Sequence, residues 1–209
     1  LYDTLIDMQI GLDDDSSLEK ITFQNKPLVF YGTSITQGGC ASRPGLAHTN
    51  IISRKLGHEC INLGFSGNGH LENSIGNIMS DIDARLYVVE CMYNVEKKMI
   101  SERTKPLIKA IRSNPQAKNT PIVFMEQAVI DMGHLNTKFI SSVMEKNEEL
   151  NKQIQGSIHE GERDLFIIKH TGAIDEDSEA TVDGTHFNDL GFQRYADHFL
   201  KNIKELDIL

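Results

Sequence analysis

The chain has 209 residues, and its 21 Lys and Arg against 30 Asp and Glu give a formal charge of −9. That length supports one sizeable core, and the composition excludes a collagen-like or disordered chain and a repeat array. The acidic balance would repel a phosphate backbone, which argues against a nucleic-acid partner and favours a neutral ligand.

In chain order, Tyr2, Thr4, Ile6, Met8 and Ile10 alternate with Asp3, Leu5, Asp7 and Gln9. The alternation predicts a strand ahead of the acidic turn Asp13-Asp14-Asp15-Ser16-Ser17. Apolar and β-branched runs then predict strands at Leu28 to Tyr31, Cys60 to Leu63, Leu86 to Cys91, Ile122 to Met125 and Leu165 to Ile168. Helical spacing joins Ile100, Leu107, Ile108 and Ile111, and again Phe139, Val143, Met144, Leu150, Ile154 and Ile158. A last helix uses Leu190, Tyr195, Phe199, Leu200 and Ile203, with Asn188 placed to cap it. Strands separated by helices imply a parallel sheet covered on both faces, a three-layer α/β/α sandwich of flavodoxin-like type with five main strands. Residues 27–209 are expected to form that domain, and residues 1–26 a separate strand and linker.

Three cysteines, Cys40, Cys60 and Cys91, include no Cys-x-x-Cys pair, so they suggest neither a disulfide framework nor a zinc site and read as small residues in or beside a core. No apolar run approaches bilayer length, and no basic-then-apolar leader precedes the first strand. A chain without a membrane span is expected. Leu1 is not a start methionine, so a precursor's leader is left open.

Four short segments carry the chemistry: Gly32-Thr33-Ser34-Ile35-Thr36, Asn62-Leu63-Gly64-Phe65-Ser66-Gly67-Asn68-Gly69, Tyr93-Asn94 and Asp183-Gly184-Thr185-His186. The first three follow predicted strands, where parallel sheets bind ligands. They offer a hydroxyl, a tight glycine turn, a side-chain amide and an imidazole, the parts of an acyl-transfer site. Each residue has a second role open to it. Ser34 suits a helix N-cap, Gly67 a turn with positive φ, Asn94 a turn or cap, and Asp183 local turn capping. Ser66 is the rival nucleophile, and His48, His58, His70, His134, His159, His170 and His198 are rival bases. Neither a Gly-x-Ser-x-Gly elbow nor a P-loop is present, and Asp175-Glu176-Asp177 with Glu179 lacks the spacing of a calcium loop.

In this order the segments resemble the four blocks of the SGNH, or GDSL-type, hydrolase superfamily over residues 28–199. The stretch from Tyr31 to Gly45 is similar to a subgroup of bacterial esterase-like proteins that carry an N-terminal β-sandwich domain. Thr33 stands where the common first block has Asp, and Val95 where an Asp commonly follows the Asn. The resemblance implies Ser34 as nucleophile, His186 and Asp183 completing a triad, and the Ser34 amide, Gly67 and Asn94 as the oxyanion hole. It further implies hydrolysis of small acyl esters, above all acetyl esters on carbohydrate, without metal or cofactor, in a periplasmic or secreted bacterial setting. Leu1-Tyr2-Asp3 would be the tail of the β-sandwich domain. Arg43, His48, Met92 and Tyr93 are candidates for the substrate pocket. Lysophospholipase or thioesterase action, and a non-catalytic glycan-binding module, are the competing expectations.

Overall fold

The computed structural model describes residues 6–20, 22–129, 136–175 and 177–209. Five strands, β1 (Leu28–Gly32), β2 (Cys60–Gly64), β3 (Leu86–Glu90), β4 (Ile122–Met125) and β5 (Leu165–Ile168), form one sheet in the order β2-β1-β3-β4-β5. Every pairing is parallel. The helices are α1 (Ser34–Gln37), α2 (His48–Leu56), α3 (Asn73–Ser80), α4 (Lys97–Ile111), α5 (Thr137–His159) and α6 (Asp189–Glu205), with short 3-10 turns at Pro44–Leu46 and Pro115–Ala117.

Successive strand residues point to opposite faces, so the near-continuous apolar strands feed two cores. Leu28, Phe30, Leu86, Val88, Val123 and Met125 pack with Ile51 and Ile52 of α2 and Phe192, Tyr195 and Phe199 of α6. Val29, Tyr31, Tyr87, Val89 and Phe124 pack on the other face with Met79 of α3, Leu107 and Ile108 of α4, and Leu150 and Ile154 of α5. The chain leaves β1 toward β2 on one side and returns to its other side as β3. This reversal opens a crevice at the carboxyl ends of β1 and β3, where such sheets receive ligands.

Of the strand expected from Tyr2 to Ile10, the described part, Ile6 to Ile10, is not a strand. Ile6 is 95% exposed and Met8 67%, and the segment has no regular structure. Alternation alone does not hold a strand without a partner to hydrogen-bond to. The acidic turn is present, with the Ser16 amide donating to the Asp13 carbonyl at 2.9 Å. Tyr2, Thr4, His134 and Glu176 lie outside the described residues. Cys91 is buried and Cys60 half-buried, but Cys40 is exposed and so does not belong to a core. Burial pushes the Cys60 thiol up to about 12. Among the described residues no helix is long and apolar enough to cross a membrane.

Candidate active site

β1 delivers Ser34 through a sharp strand-to-helix turn. Thr33, not Ser34, caps α1: its Oγ1 accepts the Ile35 amide at 3.3 Å, and Ser34 becomes the first helical residue. This division leaves the Ser34 hydroxyl unspent on capping. The Gly38 and Gly39 amides close the helix by donating to the Ser34 carbonyl at 3.1 and 2.8 Å. The Ser34 amide therefore belongs to the first turn, whose N–H groups have no acceptor within the helix.

Ser34 Oγ lies 3.0 Å from His186 Nε2. On the far side of the ring, His186 Nδ1 lies 2.7 Å from Asp183 Oδ2, while Asp183 Oδ1 accepts the backbone amides of Thr185 at 2.9 Å and His186 at 2.7 Å. Burial works to raise the Asp183 pKa, but the hydrogen bonds from the His186 backbone and ring and from Thr185 outweigh it and hold the carboxyl at about 2. An ionised Asp183 requires the proton on Nδ1, which turns a bare Nε2 toward Ser34. Such an array can take a proton from a hydroxyl and stabilise the imidazolium that results.

The loop bearing His186 is tied from both sides. Val182 N donates to the His186 carbonyl at 2.9 Å, and an isolated bridge pairs Thr181 with Phe187. Phe187 is fully buried against Tyr93, Phe192 and Tyr195. As the spacing predicts, Asn188 caps α6, accepting the Gly191 amide at 2.9 Å.

The turn after β2 reaches the same edge. Its Phe65 amide donates to the Gly32 carbonyl and its Asn68 amide to the Phe65 carbonyl, both at 3.0 Å. Gly67 has φ 68° with open space beside it, whereas a Cβ on Gly69 (φ 76°) would fall 2.4 Å from the Gly32 carbonyl oxygen. Gly69 thus lets the turn press against the chain that leads into Ser34. From the loop after β3, Asn94 Nδ2 donates to the Asn68 carbonyl at 2.6 Å, which spends one of its two hydrogens and joins the two loops. Underneath, the Tyr31 hydroxyl donates to Glu72, and Glu72 Oε2 accepts the His70 amide at 2.6 Å. Burial opposes ionisation of Glu72, but these bonds keep its pKa below the usual carboxylate range.

Two expected pocket residues face elsewhere. His48 is fully buried, its Nε2 2.9 Å from Glu90 Oε2, and its ring meets Phe30, Phe192 and Tyr195. Met92 is also buried, and its carbonyl accepts Lys146 Nζ at 3.0 Å. Neither lines a surface, because both point into cores that form only when the helices pack. Tyr93 is half-buried, its hydroxyl accepting the Ala128 amide at 3.3 Å, and Arg43 is exposed. Ser66 is exposed with its amide bonded to Gln37 Oε1 at 2.8 Å, and it is Ser34 that faces His186. Asp175 and Asp177 are gathered by Arg194, which forks onto both oxygens of Asp177 at 2.7 Å. Among the described residues no three His, Cys, Asp or Glu side chains are grouped to hold a metal ion.

The supports of the site were not visible in its motifs. Lys146 and Asn147 sit in a polar run of α5, yet both are buried, and Asn147 bonds the Gln127 backbone at both its amide and its carbonyl. The signal was spacing: Asn147 falls between Val143 and Leu150 on the buried stripe.

The sequence model of the GDSL-like Lipase/Acylhydrolase family matches residues 25–204. No curated protein matches the chain. A solved GDSL-like lipase from Bacteroides ovatus is 33% identical, with a TM-score of 0.87 over 93% of this chain and 58% of that one. A salicylyl-acyltransferase from a tetracycline biosynthetic pathway is 19% identical, with a TM-score of 0.79 over 95% of this chain and 59% of its own. A family two carbohydrate esterase from Clostridium thermocellum, solved with cellohexaose, is 15% identical, with a TM-score of 0.65 over 92% of this chain and 68% of its own. The chain spans less than two thirds of the first two structures, and the last two likenesses are likenesses of fold. With the strand order, the loops gathered at the carboxyl edge and the family match over nearly its whole length, the chain belongs to the GDSL-like lipase/acylhydrolase family of the SGNH hydrolase fold.

Proposed function

We propose that the protein is a serine esterase that removes small acyl groups, above all acetyl, from carbohydrate esters. The observation that carries this reading is the continuous line from Ser34 Oγ through His186 to Asp183, with contacts of 3.0 and 2.7 Å. Ser34 Oγ attacks the ester carbonyl carbon as its proton passes to His186 Nε2. The carbonyl π electrons move to oxygen, and that oxyanion accepts from the Ser34 and Gly67 amides and from the remaining hydrogen of Asn94 Nδ2. Collapse breaks the bond to the alkoxy oxygen, which leaves with the proton held by His186. Water then attacks the acyl-serine by the same route and restores the serine hydroxyl.

Acetyl esters of sugars are favoured by the resemblance to esterase-like proteins and by the likeness of fold to a carbohydrate esterase. Arg43 and Tyr93 remain candidates for the rim that meets the alcohol portion. Residues 27–209 form the hydrolase domain in this reading, in keeping with the family match at 25–204, and residues 1–26 lead into it.

The test compares p-nitrophenyl acetate, butyrate and octanoate, followed by acetate release from acetylated oligosaccharides. Turnover steepest with acetate, with acetate freed from the glycan, supports the reading. A preference for octanoate would move the assignment to lipid or thioester substrates, and glycan binding without turnover of any ester would make the chain a binding module.

A further inference from the structure

The helix carrying Ser34 is one turn long, too short to hold its own position, since helix nucleation alone is unfavourable. What fixes it is a buried polar frame around Thr36, two residues beyond Ser34. The Thr36 hydroxyl donates to Glu90 Oε2 at 2.7 Å, at the end of β3. The Thr36 carbonyl accepts from Asn62 Nδ2 at 2.6 Å, on β2. These two strands flank β1, so Thr36 is gripped from both sides of the strand that delivers the serine.

Adjacent residues of α2 complete both arms. His48 Nε2 lies 2.9 and 3.2 Å from the two oxygens of Glu90, and Thr49 Oγ1 accepts the second hydrogen of Asn62 Nδ2 at 2.9 Å. Asn62 Oδ1 then accepts the Gly64 amide at 2.9 Å, so both amide hydrogens and the oxygen of Asn62 are engaged. Thr36, His48 and Thr49 are fully buried and Glu90 is 2% exposed. The frame also reaches the base: His48 packs on Phe192 and Tyr195, which contact Phe187, the residue after His186.

Burying a polar pair such as Glu90 and His48 is costly, and replacing both members by apolar groups of similar volume is often neutral or stabilising, so stability alone does not account for the pair. His48 Nδ1 has no hydrogen-bond partner among the described residues, a further cost. We infer that Glu90, with Thr36, Asn62 and His48, is a positioning residue that holds Ser34 Oγ at its 3.0 Å approach to His186. The inference rests on the reading of Ser34 as nucleophile.

The test is the bimolecular rate at which a fluorophosphonate labels the wild type, Thr36→Val and Thr36→Ser, expressed per folded molecule, together with kcat and KM on p-nitrophenyl acetate. Thr36→Val keeps the volume and loses the donor, so labelling and kcat fall by about 10- to 100-fold with KM unchanged, the scale expected when a reacting atom is misplaced by about an ångström. Thr36→Ser restores the donor and most of the rate. Wild-type rates in Thr36→Val, whatever its melting temperature, would overturn the inference, as would Thr36→Ser behaving no better than Thr36→Val. Should Thr36→Val not fold, Glu90→Gln carries the same comparison, and unchanged labelling there overturns it equally. A wild type that does not label at all would instead remove the serine reading, and the frame's catalytic role with it.

Discussion

Asp183 holds His186 twice, with Oδ2 on the ring nitrogen Nδ1 and Oδ1 on the backbone amide of the same residue, each at 2.7 Å. The carboxylate thereby fixes both the place of the histidine in the chain and the rotation of its ring. Asp183→Asn should leave the fold intact and lower turnover by about 10³- to 10⁴-fold, because an amide permits the wrong ring tautomer. Steady-state ester hydrolysis on matched folded samples checks it.

The same contact sets a pH dependence. The Asp183 carboxyl titrates at about 2, below its ordinary value of 3.8. A carboxyl lowered in the folded state contributes stability that is present above the unfolded value and lost as pH falls through the folded one. That stability should disappear between about pH 4 and pH 2 in the wild type. In Asp183→Asn the extra slope should be missing from urea unfolding curves over this window.

Asn94 is the side-chain donor of the proposed oxyanion hole, and its other hydrogen is already given to Asn68. Asn94→Ala should lower kcat by about 10²- to 10³-fold with little change in KM, the pattern of an interaction realised in the transition state. A KM effect alone would assign Asn94 to ground-state binding.

Gly67 and Gly69 both have positive φ but differ in their surroundings. Gly67→Ala meets open space and should cost about 1–2 kcal/mol from backbone strain. Gly69→Ala must also displace the Gly32 carbonyl, so it should destabilise more and slow turnover by shifting the chain leading into Ser34. Melting temperature and kcat for the two variants separate the effects.

Lys146 is buried on α5, donating to the Met92 carbonyl, and burial lowers its pKa from the ordinary 10.5. Because the unfolded chain then binds the proton more tightly, stability rises with pH up to about 10.5, after which this contribution is flat. Lys146→Met should lose that rise, so its stability relative to wild type should be greatest at neutral pH and shrink toward pH 10. Paired denaturant titrations across that range measure it.

The strands were legible because β1, β3 and β4, buried on both faces, leave continuous apolar runs, and all five strands, the half-buried edge strand β2 included, begin at the residue the pattern marks. Ser34, Gly67, Asn94, Asp183 and His186 were legible as motifs, and the sheet brings their loops to one edge. Long-range register was not legible. His48 meets Glu90 only because α2, packed against β2 and α6, brings its first residue to the end of β3, and nothing local distinguishes it from a pocket histidine. Ile6 to Ile10 misled for the opposite reason, since a local pattern cannot supply the neighbouring strand. That Thr33 rather than Ser34 takes the cap was likewise decided by the turn's geometry, against the preference of residue type, which favours serine.

The most direct test of the account is p-nitrophenyl acetate turnover by wild type, Ser34→Ala and His186→Ala, each verified as folded. The account predicts turnover by the wild type, with both variants reduced to the solvent background or the small residual that binding alone provides. Equal turnover by all three proteins would contradict it, and would remove Ser34 and His186 from the chemistry.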